Sequence, residues 1–256
     1  MRKSMLLTVP TLALGALTMA AAPAAAHDSD MWSAQAALST LNNSGTTGEV
    51  MVDVHGTEVT VTMNVSGAAE TFMDGPFPHA QHIHIHGQGT CPGPEADADG
   101  DGVVNTTEGH PFYGMIGTSL TTEGDTSPDS GLAVERFPGG SAYTYERTLQ
   151  LDEATAESLQ NGTAVVVVHG VDPAKMPAAA AEKMSDLDPA LPAAATLPAA
   201  CGTLTASQMG AMPEGGADTG VAQETGSTAQ AAALGGGVLA AAAGAAWALR
   251  RRAARG

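Results

Sequence analysis

Three histidines stand in alternation at His82, His84 and His86. Residues two apart on an extended strand share a face, so these imidazoles would project together. His79 precedes them, His110 follows, and His169 ends an apolar run over residues 164–168. Imidazoles at i and i+2, joined by one from a neighbouring strand, make a nitrogen set for copper or zinc. A solvated, histidine-rich strand edge would show the same spacing, and metal content separates the two. A second constellation has different chemistry. Residues 97–108 fill every fixed position of the pattern D-x-[DN]-x-[DN]-G-x5-E. Asp97, Asp99 and Asp101 would supply oxygens, and Gly102 permits the sharp turn. Val103 would offer its carbonyl, Asn105 would hold or bridge a water, and Glu108 would close the site with both carboxylate oxygens. Hard oxygen donors without imidazole or thiolate favour Ca²⁺ over copper or zinc; the rival reading is a solvated acidic turn. The flanks Pro92-Gly93-Pro94 and Gly109-His110-Pro111 break helices and predict a calcium loop inserted without a helix-loop-helix hand.

The elements that must position these residues read mainly as strands. Residues 49–54 and 58–65 alternate apolar and polar, with valines and Met63 on the apolar side and His55-Gly56-Thr57 as a tight turn. Residues 81–86 alternate again, 142–151 form a strand carrying Tyr143 and Tyr145, and 164–168 read as a strand buried on both faces. One short helix is predicted over residues 152–160, capped by Asp152 and stopped by Asn161-Gly162. Residues 172–200, rich in Ala and Pro, predict a long loop with a helical turn. Short strands separated by turns point to an all-β sandwich or Greek-key barrel.

The two ends address the chain. Arg2 and Lys3, an apolar run and the stretch Pro23-Ala24-Ala25-Ala26 read as a secretory signal over 1–26, cleaved to leave His27 first. That terminal histidine is a minor candidate copper chelator. Residues 231–249 carry no charge, and Arg250, Arg251, Arg252 and Arg255 follow. Nineteen helical residues rise roughly 28 Å, about one hydrocarbon thickness, so 231–249 is expected to be a transmembrane or sorting helix and 250–256 a basic cytoplasmic tip. Residues 216–220 and 222–226 are similar to degenerate wall-sorting signals, so membrane retention and cell-wall attachment both stand open. Residues 213–230 read as a flexible spacer, which leaves 27–212 as one exported, cell-surface domain. Between the signal and the anchoring helix only Arg136, Arg147, Lys175 and Lys183 face all 27 acidic residues. Such a surface repels nucleic acid and favours cations. The only two cysteines, Cys91 and Cys201, are expected to form a disulfide outside the cell.

His82-Ile83-His84-Ile85-His86-Gly87 followed by Cys91 resembles the H-V-H-x-x-G segment and loop cysteine of copper-zinc superoxide dismutases. Val166-Val167-Val168-His169 with Asp172, and Ala200-Cys201-Gly202-Thr203-Leu204, are similar to that family's V-V-H strand end and closing strand. The matches keep family order from residue 81 to 204. The chain also resembles the related chordin-type (CHRD) domain, through paired opening strands over 45–65, the H-I-H segment, a helix, Asn161-Gly162 and a strand ending in His169. The resemblance implies a Greek-key β-barrel, a Cys91–Cys201 bridge, and copper-ligand roles for His82, His84 and His169, with His110 in the bridging place. Two departures bear on activity. No histidine lies between Pro111 and Val168, so the zinc subsite cannot be built, and Pro198 stands where the family's guiding arginine would. The expectation is therefore a surface-anchored domain that binds copper and calcium without being an efficient dismutase. A copper-only dismutase and a structural or adhesive envelope module are the alternatives.

Overall fold

The structure, a computed structural model, describes residues 31–207. The expected signal peptide, His27, spacer, anchoring helix and basic tip lie outside the described residues. In chain order the elements are β1 (Met31–Thr40), β2 (Thr47–His55), β3 (Glu58–Ser66), β4 (Thr71–Phe72), β5 (Gly75–Pro76), β6 (Gln81–His86), α1 (Thr106–Tyr113), β7 (Gly114–Ser119), β8 (Ala142–Gln150), α2 (Glu153–Gln160), β9 (Val165–His169), α3 (Ala178–Ala181), α4 (Ala193–Thr196), β10 (Pro198–Thr203) and β11 (Thr205–Ala206), joined by turns and short 3₁₀ segments.

Alternation builds the β2–β3 hairpin. Val50, Val52 and Val54 of β2 lie opposite Met63, Val61 and Val59 of β3, and all six are buried. The connection is the two-residue turn Gly56-Thr57, and Gly56 takes a φ of 66°, open to glycine without steric cost. The main sheet runs β7-β6-β9-β10-β1-β2-β3-β8, with β11 on β1; β4 and β5 pair separately. Its neighbours are antiparallel, and the sheet curls into a half-barrel. Side chains of β8 span the open side. The Tyr143 hydroxyl donates to Gln81 Oε1 at 3.1 Å, and Tyr145 and Arg147 donate to the Thr121 carbonyl at 3.2 and 2.7 Å.

The middle strands are covered on both faces. Ile83, Val166 and Val168 enter the main core with the β2 and β3 valines. Val165 and Val167 pack on the other face with Tyr113 and Cys201. His82 pairs with Val167 and His84 with Val165, so strand periodicity puts both histidines, and His169 two residues beyond Val167, on this second face. α1, α4 and the loops around them cover it.

Helix content exceeds the expectation of one short helix. α2 forms where expected, with Asp152 Oδ1 accepting from the Thr155 amide at 2.7 Å. α1 overturns the reading of residues 109–111 as a break. Asn105 Oδ1 accepts from the Glu108 amide at 3.0 Å and Glu108 Oε2 accepts from the Asn105 amide at 2.9 Å. This reciprocal capping box starts the helix, which ends two residues past Pro111. The bridge joins Cys91 to Cys201 with Cα atoms 5.8 Å apart, tying the loop before α1 to β10. Among the described residues no helix is long and apolar enough to cross a membrane.

Candidate metal centre

His82, His84 and His169 meet on the covered face. Ring centroids lie 5.5 Å apart for His82–His84, 5.3 Å for His82–His169 and 6.0 Å for His84–His169. One nitrogen from each ring lies within 4.8 Å of the other two. A backbone carbonyl takes the remaining nitrogen in every case: Gly131 O at 3.0 Å from His82 Nε2, Gly114 O at 3.0 Å from His84 Nδ1, and Thr196 O at 2.7 Å from His169 Nδ1. A carbonyl only accepts, so each of these nitrogens carries the proton. The lone pairs therefore sit on His82 Nδ1, His84 Nε2 and His169 Nε2, and these are the buried side-chain nitrogens without a hydrogen-bond partner among the described residues. Three lone pairs on clustered rings, each ring fixed by a second bond behind it, make a donor set that could hold a metal ion. Two aromatic edges hold the rings, Tyr113 at 4.7 Å from His84 and Phe137 at 5.5 Å from His82.

Burial first, then the neighbouring imidazoles, keeps the His82 ring uncharged well below its ordinary range. Burial likewise pushes His84 down to about 3 and His169 down to about 4. In the unfolded chain these rings protonate near about pH 6.5. Below that the unfolded state binds more protons than the folded one, so the metal-free protein should lose stability as pH falls from about 6.5 towards 4. Melting temperatures at about pH 7.5, 6 and 5 check this, and a flat series would contradict neutral burial of the cluster.

The other histidines separate clearly. His79 is buried, with Nδ1 2.9 Å from the His169 carbonyl and Nε2 2.9 Å from the Ala69 carbonyl. Its nitrogens are taken up, and it buttresses the end of β9. His86 is exposed at the end of β6. His110, expected as a weaker ligand, lines the same pocket but is not one of the three with clustered donor atoms.

The acidic loop lies before α1. Oxygens of Asp97, Asp99 and Glu108 come within 4.8 Å of one another. The Asp97 carboxylate accepts from the amides of Gly100 at 2.8 Å, Asp101 at 3.2 Å and Gly102 at 2.9 Å. Asp101 Oδ1 accepts from the Val103 amide at 2.9 Å. The Val103 side chain is buried with Val171, Met176 and Leu197. Asn105 has a role the motif did not suggest, because its side-chain oxygen caps α1. Lys183 is the larger surprise. Its ammonium lies 2.7 Å from both Asp99 Oδ2 and Asp101 Oδ2, and the Lys183 bond holds the Asp99 carboxyl below the usual carboxylate range.

Sequence reasoning missed the three carbonyls that orient the rings, since every residue carries a carbonyl and the choice of Gly114, Gly131 and Thr196 is made by chain path alone. Lys183 had one available signal: it is one of only four basic residues between the two ends. The search against models of known families finds no match to this chain, and neither does the search of curated proteins.

Proposed function

We propose that this protein is an exported, surface-anchored metal-binding domain that holds one transition-metal ion, copper in the first instance, through His82 Nδ1, His84 Nε2 and His169 Nε2. The observation that carries this is the convergence of three buried, partnerless nitrogens, each with its opposite nitrogen bonded to a carbonyl. A buried polar atom left unpaired costs about 1–3 kcal/mol, so three of them together are poorly explained by packing. Three imidazoles suit copper or zinc and leave a coordination position open. Copper bound there would supply one-electron chemistry. The sheet order, with β6, β9 and β10 adjacent and β10 beside β1, supports a Greek-key reading of the superoxide dismutase-like or CHRD type.

Efficient dismutation is not part of the proposal. No Lys or Arg lines the pocket over the histidines. Arg136, Arg147, Lys175 and Lys183 are each engaged elsewhere: with Ser130, with Thr121, with the Ser44 carbonyl, and with Asp99 and Asp101. The net charge of −17 opposes approach of an anion. The test is elemental analysis of the untagged protein with an assay of superoxide turnover. One copper or zinc per chain is expected, with turnover far below the diffusional ceiling of about 10⁸–10⁹ M⁻¹s⁻¹. No metal would return the histidines to packing, and turnover near the ceiling would establish the dismutase alternative.

A second site is proposed at residues 97–108, where Ca²⁺ would take oxygens from Asp97, Asp99 and Glu108, with Asp101 and the Val103 carbonyl as the further oxygens the motif assigns. The loop is already wound by its own amides, and a lysine ammonium stands against two of its carboxylates, which supports a cation-seeking site. Affinity typical of extracellular calcium modules, about 10⁻⁴ to 10⁻³ M, is expected. Millimolar Ca²⁺ should raise the melting temperature by mass action, and Glu108→Ala should remove the gain. Lys183→Gln should tighten Ca²⁺ binding, because the ion no longer displaces an ammonium. Coincident melting curves with chelator and with Ca²⁺ would leave a solvated acidic turn clipped by Lys183.

A further inference from the structure

The three clustered histidines line a pocket of about 410 Å³, within the range of small-molecule sites. Its character differs from that expected around a hydrated ion. Phe77, Ile116, Leu132, Val134, Leu187 and Leu191 stand in its walls, and no acidic or basic side chain does; beyond the histidines, threonine supplies the polar lining side chains. Several of the chain's solvent-exposed large apolar residues gather at this one place. Leu132 is 43% exposed, Leu187 is 42% exposed, and Met115 on β7 is 60% exposed. Apolar side chains that converge on one concavity mark a binding site rather than scattered surface. A small anion or water would gain nothing from such walls and would lose hydration.

We infer that the pocket takes a small, neutral, largely apolar organic molecule bearing one lone-pair donor, of the azole or phenol type, with the donor on the open side of the metal and the apolar body against Ile116, Leu132 and Leu187. The inference rests on the three-histidine metal reading and extends it to the class of ligand. Apolar walls alone would take any hydrocarbon. The buried nitrogens at the floor, which place a coordinating ion at one end, select a molecule that is apolar except at a single atom.

The full chain, loaded with one equivalent of Cu(II), is titrated with imidazole and with 4-phenylimidazole, followed by calorimetry and the copper visible spectrum. The phenyl ring adds apolar area and no donor. Its burial should make 4-phenylimidazole bind about 30- to 100-fold more tightly than imidazole. Leu132→Asp with Leu187→Asp should bring that ratio close to one while one copper per chain is still taken up. Equal affinities on a copper-loaded protein would overturn the inference and leave the metal reading intact. Failure to take up copper or zinc would overturn both. A concentration-dependent dimer abolished by the same two substitutions would show that a second copy covers the mouth, and would also overturn the inference.

Discussion

Replacing His169 by alanine should abolish the stoichiometric copper binding proposed for the three-histidine cluster. His169 is the one member of the cluster from β9, while His82 and His84 share β6. Losing it leaves two donors from one strand and removes the nitrogen held by the Thr196 carbonyl. Loss of an outer partner alone typically weakens metal affinity by about 10- to 100-fold, and loss of a direct donor should exceed that. His84→Ala should act alike. His110→Ala should change affinity far less, since His110 stands in the pocket wall outside the donor cluster. Competition titrations of Cu(II) against a chelator of known affinity measure all three. Unchanged affinity in His169→Ala would remove the metal reading.

The second large effect concerns the disulfide. Cys91 and Cys201 are 110 residues apart, and closing a loop of that length constrains the unfolded chain by roughly 4 to 5 kcal/mol in the chain-entropy model. Cys201 is buried beside Val165, Val167 and Tyr113, so the bridge pins the covered face on which the histidines sit. The double substitution Cys91→Ser, Cys201→Ser should lower the melting temperature by about 8–20 °C, taking 2–4 °C per kcal/mol for a domain of this size. A change of under about 3 °C would mean that packing alone holds this face.

The valine alternation of residues 50–65 and a tight turn between the strands were legible because strand period and burial coincide there, although His55 belongs to β2 and the turn is Gly56-Thr57 alone. The pairing of the only two cysteines was legible from their number, on the expectation of an oxidising compartment. β1 was not. Its sequence, MWSAQAALST, is rich in alanine and offers little β preference; it is a strand because β2 on one side and β10 and β11 on the other supply its pairing. α1 was missed because Gly109 and Pro111 weighed as breakers, while Asn105 and Glu108, read as calcium ligands, also spell a capping box. The donor histidines were visible from their types and spacing. Their orientation was not, because it depends on carbonyls brought in by β7, the loop before β8, and α4.

Those carbonyls have a thermodynamic consequence. Most metal sites must shed protons from their ligands before the ion binds. Here the rings are held neutral by burial, and the carbonyls of Gly131, Gly114 and Thr196 have already placed each ring's single proton on the nitrogen that points away from the cluster. Uptake of the proposed ion at neutral pH should therefore exchange no proton with the medium at these three residues. The measured enthalpy of binding should be the same in buffers of widely different ionisation heat, and affinity should hold steady into mildly acidic surroundings, where an ordinary surface histidine cluster would release its ion.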